Sequence, residues 1–202
     1  MKIKNFLTAM LLVLCAAVWM NVQAQDPADD ANLDTQLYLI VGTNQEVDDA
    51  KLPASLDPVV KQLRATLPFK NYRLAATLIN RVQVDGRLDL SWIGGPLSLA
   101  STPALNPSFS NFSVRRVRLV TGSDGQQSVQ MQGFNFGARV PIQVSGAIAA
   151  NGAVAPTINY ERTGVSTDIS MHEGDPVIVG TLNIGPTGEA IILVVSAKRT
   201  QK

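Results

Sequence analysis

From Glu161 to Arg199 the chain alternates apolar and polar positions and then becomes continuously apolar. Val165, Thr167, Ile169 and Met171 fall on one face of an extended run, and Ser166, Asp168, Ser170 and His172 on the other. That period of two predicts a half-buried strand. Glu173-Gly174-Asp175 and Gly185-Pro186-Thr187-Gly188 are turn-forming clusters that separate this run from two more. The last, Ala190 to Ala197, is nearly all apolar and β-branched, which predicts a central strand covered on both faces.

Upstream the pattern changes period. Gln36 to Thr43 reads as a short buried strand, followed by a polar loop from Asn44 to Ala54. Val59, Val60, Leu63 and Leu67 recur at helical spacing while Lys61, Gln62 and Arg64 face water. Asp57 is placed to cap this helix, Pro58 occupies its first turn and Pro68 stops it. So short a helix is marginal alone and needs a sheet to lie on. Tyr72 to Val84 then alternates, its even positions apolar except for Asn80, Asp85-Gly86 signals a two-residue hairpin, and Leu88, Leu90 and Trp92 alternate on the expected return strand.

Beyond a stretch rich in Gly, Pro, Ser and Thr the chain reads as strands and turns only. Phe112 and Val114 lie in one phase, Val117 and Leu119 in the other, so a bulge is expected at Arg115-Arg116. Val140, Ile142 and Val144 alternate, with Pro141 favouring an edge or a strand start. Ser145–Ala150 and Ala153–Tyr160 are placed to pair across Asn151-Gly152. The fold class read from these patterns is mainly β (α+β). A small strand–helix–hairpin unit, residues 36–95, is followed by a loop, 96–110, and a β-sheet unit, 111–202, forming an antiparallel β-sandwich or curved sheet.

Composition adds a location. Lys2 and Lys4, the apolar run Phe6–Val18 and the Val22-Gln23-Ala24 cleavage pattern make residues 1–24 a secretory signal peptide. Residues 25–35, QDPADDANLDT, read as a flexible acidic lead-in. The expected destination is periplasmic or extracellular, with no integral membrane span after cleavage. The single cysteine, Cys15, lies in the leader, so no disulfide framework is expected despite export. The chain carries 17 basic and 16 acidic residues, and loss of Lys2 and Lys4 leaves the two signs still nearly balanced. Such a chain has no general attraction for nucleic acid.

Catalytic material is sparse. His172 is the sole histidine, which excludes a multi-histidine metal site in a monomer. Its neighbour Glu173 would point to the opposite side of a strand, so the two would not aim at one substrate. Asp85, Asp89, Asp168, Glu173 and Asp175 lie near turns or on polar faces, where Asp and Glu serve backbone hydrogen bonding. No spacing assigns a catalytic, cofactor-binding or metal-ligating residue. Arg115, Arg116 and Arg118 form a compact basic cluster. It suits an anionic partner, a carboxylate-rich surface or lipid headgroup, and equally a solvated face that protects a strand edge. Trp92, Phe109, Phe112, Phe134 and Phe136 form no repeated exposed ladder, and most of them read as core or loop anchors.

Glu173, Gly174, Asp175, Val177, Val179, Gly180 and the strand Ile191 to Val195 resemble the C-terminal part of the secretin family's core domain. That family forms outer-membrane β-barrel multimers in type II and type III secretion and in type IV pili. The stretch VVKQLRATLPFKNYRLAATLINR also looks like small exported proteins of no known activity. The resemblance implies location and company and carries over no site residues. The reading that follows is an exported, non-enzymatic structural or binding component of a bacterial cell-envelope assembly, with secretion or pilus machinery as its setting. Its expected partners are other envelope proteins or copies of itself, met through sheet edges. A soluble periplasmic ligand-binding protein is the alternative, and a carboxylate-dependent enzyme the third.

Overall fold

The computed structural model describes residues 31–46, 52–94, 97, 106–123, 125–148, 154–184 and 188–200. The leader, residues 25–30 of the lead-in, most of the 96–110 loop, Asn151-Gly152 and residues 185–187 lie outside the described residues. Among the described residues no helix is long and apolar enough to cross a membrane.

Among the described residues nine strands and one α-helix follow in the order β1 (Asn32–Thr43), α1 (Asp57–Thr66), β2 (Asn71–Gln83), β3 (Leu88–Gly94), β4 (Ser108–Val114), β5 (Arg116–Thr121), β6 (Gln127–Ile148), β7 (Val154–His172), β8 (Val177–Ile184) and β9 (Glu189–Arg199). They build two antiparallel sheets. The first has the order β2-β1-β9-β8. In the second, β6 pairs on one side with β4 and β5, on the other with β7, and β3 joins β4.

The apolar run that closes the chain is central, as its composition demands. β9 pairs with β1 on one side and β8 on the other, and its residues from Glu189 to Val195 are all buried. Its odd positions, Ile191, Leu193, Val195 and Ala197, join Leu33, Leu37 and Leu39 of β1 in the core between the sheets. The second sheet contributes Phe112, Val117, Met131, Phe134 and Phe136 to the same core. The even positions Ile192 and Val194 face the other way, onto Val59 and Leu63 of α1, with Tyr38, Ile40 and Tyr72 beside them. The architecture is therefore helix on sheet on sheet. Each of these fully buried aliphatic side chains contributes about 1.5–3 kcal/mol over an exposed one.

Several local expectations change. β1 begins at Asn32, with Leu33 and Thr35 buried, so strand starts four residues before Gln36. Asp57 does not cap α1: a 3₁₀ turn (Ala54–Leu56) leads into the helix, Leu56 holds the cap position without a side-chain bond, and Asp57 is the first helical residue. A carboxylate there still faces the positive end of the helix. The turn at Asp85-Gly86 forms, with Asp85 at φ 63°, but the strand after it does not return along β2. β3 enters the second sheet beside β4. The physical reason is two-sided competition: β2 finds its partner in β1, and Gly86 is instead tied to the second sheet by its carbonyl, which accepts from the Val117 N–H.

The even-numbered apolar series on β2 also serves two faces. Leu39 pairs with Ala76 but Ile40 with Leu74, so Ala75 is an extra residue. Tyr72 and Leu74 pack under α1, whereas Ala76, Leu78 and Val82 pack on the second sheet. The expected phase change at Arg115 is present: Arg115 separates β4 from β5, and Val114 and Val117 are both buried. β6 answers it with its own bulge, where the register slips between Met131 and Phe134 and Gly133 takes φ 62°. Pro141 starts no strand. It lies inside the 22-residue β6, two residues past Arg139, the last one paired with β4.

Candidate functional site

Three surfaces gather polar or exposed side chains. The first is the arginine cluster. Arg116 and Arg118 share a face of β5, as their spacing predicts, and converge on Asp85, with Nε atoms 3.7 and 3.0 Å from Oδ1. One carboxylate thus sits between two exposed guanidiniums. Arg115 stands apart at the bend, its side chain against Gly133. Two of the three predicted residues are brought together and the third is turned to another task.

The second surface is the part of the first sheet's outer face that α1 leaves bare. Asp34, Gln36 and Tyr38 of β1 meet Ser196 and Lys198 of β9 around a hollow of about 160 Å³. The Tyr38 hydroxyl donates to Gln36 Oε1. Arg81 forks onto Asp34, at 2.8 Å from Nε and 3.4 Å from Nη2. That hydrogen bond holds the Asp34 carboxyl below its ordinary value and raises Arg81.

The third surface lies on the outer face of the second sheet. Ile93, Phe109, Arg139 and Arg162 stand in register across β3, β4, β6 and β7. The Arg139 guanidinium is 6.0 Å from the Phe109 ring centre and 5.7 Å from that of Tyr160. The two rings are 5.7 Å apart. Ile93 is 69 % exposed and Phe109 39 %, and a hollow of about 310 Å³ opens beside them, floored by Ser91 and Asn111. Sequence reasoning missed this group because its members come from four strands whose register no local pattern states. Phe109, expected as an anchor, is on the outside; Trp92, Phe112, Phe134 and Phe136 pack inward as read.

The carboxylates singled out from the sequence are mostly tied to structure. Asp168 Oδ1 accepts the Gly133 N–H at 2.5 Å. Glu173 accepts from the Arg199 backbone at 2.8 Å and faces its guanidinium. His172 is exposed at the end of β7, and its carbonyl accepts from Asp175 N–H at 3.2 Å. Glu189 drew no notice in the sequence, yet it is 1 % exposed at the head of β9. Its charge supports Arg73, whose guanidinium burial pushes below the usual arginine range. Arg73 also donates to the Leu97 carbonyl at 3.2 Å. Among the described residues no cluster of His, Cys, Asp and Glu is arranged to hold a metal ion.

No family model matches the chain, and no curated protein does. Among solved structures it is similar to the secretin InvG of the Salmonella SPI-1 type III secretion injectisome, at 12% identity and a TM-score of 0.37, over 94% of this chain and 70% of that one. InvG in the basal-body model with PrgH and PrgK gives 12% and 0.37, with 94% of this chain spanning 50% of that one. The InvG secretin-domain β-barrel gives 13% and 0.36, over 94% and 68%. Overlaps of this size do not establish a shared fold.

Proposed function

We propose that this chain is an exported, non-enzymatic structural component of a cell-envelope assembly that joins its neighbours through strand addition along β7. The observation that carries this reading is the free edge of β7. Among the described residues the 19-residue β7 pairs with β6 alone. An edge this long offers a row of unsatisfied backbone donors and acceptors, and soluble proteins ordinarily blunt such edges.

The same edge runs on into an arm. Past Arg139 no described strand accompanies β6 on its other side, while β6 and β7 stay paired as far as Ile148 and Val154. From Pro141 to Tyr160 the sequence has no charged residue. A two-stranded ribbon is marginal by itself in water, and an uncharged one lacks the charges that discourage edge-to-edge pairing. Neighbouring ribbons would satisfy both needs. The leader pattern at residues 1–24 supports export to the envelope, and the secretin-like residues around Glu173 are consistent with that company.

The experiment uses cysteines placed at Asn159 or Thr163 in the exported full chain, since Cys15 is the sole native cysteine. Oxidative cross-linking in the host envelope should trap a second copy or another envelope protein, identified by mass spectrometry, and mild detergent should release a large complex. A free monomer with no cross-linked product at either position would sink the assembly reading.

A further inference from the structure

We infer that the Ile93–Phe109–Arg139–Arg162 row, with Tyr160, is a docking site for an extended acidic peptide segment that carries an apolar side chain next to its carboxylate. This goes beyond assembly through β7, because it uses a sheet face rather than a strand edge.

The row carries an uncompensated charge. Arg81, Arg116, Arg118 and Arg199 each face a carboxylate at 4 Å or less, and Arg73 has Glu189. Arg139 and Arg162 have no carboxylate partner among the described residues, although they are directly opposed on β6 and β7 and both exposed. Like charges directly opposite across a strand pair destabilise it. An anion bridging the two would turn that repulsion into attraction, and a carboxylate accepts paired guanidinium donors well. Glu161 belongs to the other phase of β7, opposite buried Val140. The acid on this face of β3 is Asp89, in the row of Ser113 and Asn135 and four residues along the strand from Ile93.

The row is also pre-organised. Contact of Arg139 with both the Phe109 and the Tyr160 ring fixes a side chain that is otherwise costly to order. Ile93 and Phe109 expose apolar surface at the rim of the same hollow. Aromatic and arginine anchors around a pocket are the composition of a binding hot spot. The alternating rise of a sheet face suits an extended peptide, whose every second side chain reaches down to it.

The test is titration of the purified full chain with a fluorescent capped peptide of alternating Leu and Glu, against the same peptide with Gln for Glu. The acidic peptide should bind and the Gln peptide should not. R139Q and F109S should each weaken binding by about tenfold or more, with melting temperatures close to that of the parent. R64Q, on exposed helix α1, should leave binding unchanged. Equal binding of the two peptides, undiminished binding by R139Q, or no binding by the parent would overturn the proposal. So would binding to phosphatidylglycerol vesicles in place of the peptide, which would assign the row to lipid.

Discussion

The ring of Phe69 occupies the space that a side chain on Gly42 would need: a Cβ there would lie 2.6 Å from Phe69 Cδ2. Gly42 is the penultimate residue of β1, and Phe69 precedes β2, with Phe69 meeting Tyr72 edge-on at 6.4 Å. The close approach closes the α1 end of the first sheet. Gly42→Val should cost about 1–3 kcal/mol through overpacking, read as a lower urea midpoint with unchanged slope. A variant as stable as the parent would mean that Phe69 moves aside freely.

Val194→Asp tests the central strand. Val194 is wholly buried between α1 and the first sheet, and a charge there would have no partner. A loss of about 3–5 kcal/mol is expected, enough to abolish soluble folded protein in most domains. An unchanged melting curve would contradict the central position of β9.

Glu189→Gln should leave the half-buried Arg73 with its charge less well balanced. The expected loss is about 1–2 kcal/mol, less than for breaking a fully buried pair, because Arg73 is only half-buried. Pairing the change with Arg73→Met should recover part of it, and a double-mutant cycle gives the coupling directly. Strict additivity would show that the two side chains do not sense each other.

The Asp34–Arg81 pair sets a pH dependence. Hydrogen bonding from Arg81 depresses the folded-state value of Asp34 below that of an ordinary aspartate. A depressed acid contributes stability above its unfolded value and loses it as pH falls through the folded one. Arg81→Gln should therefore lower the melting temperature near neutral pH and have a shrinking effect below about pH 4. A difference that persists unchanged in acid would place its origin in packing instead.

Asp168→Ala removes the acceptor for the Gly133 amide, and about 1 kcal/mol should go with it. Gly133→Ala attacks the same bulge through its backbone: φ of 62° costs a residue with a Cβ about 1–2 kcal/mol. Hydrogen exchange of the β6–β7 amides around Met131 should report both. Protection equal to the parent would detach the bulge from Asp168.

The elements that the sequence made legible are those with one dominant periodicity. α1, the alternating β7 and the apolar β9 lie where their patterns put them because each buries one kind of surface against one kind of neighbour. The bulge at Ala75 was hidden because its flanking residues, Leu74 and Ala76, are both apolar; either face would accept them, and only the pairing with β1 tells which does. The phase change at Arg115 was visible because it interrupts the apolar alternation with consecutive arginines. The site residues divide the same way. Arg116 and Arg118 share a strand face and could be grouped from spacing alone. Ile93, Phe109, Arg139 and Tyr160 are united by tertiary register, which no window along the chain contains.

The pairing of β1 with β9, Leu37 opposite Val195, has a kinetic side. The two middle strands of the first sheet come from opposite ends of the described chain, so the sheet has no centre until both are present. Every contact under α1 that involves Ile192 or Val194 must wait for that closure, and loop-closure entropy is spent before the reward arrives. A chain emerging in order would carry β1 and β2 as an unfinished pair, exposing the β1 edge that β9 later fills. Folding of this sheet is thus expected to wait until β9 is available to β1.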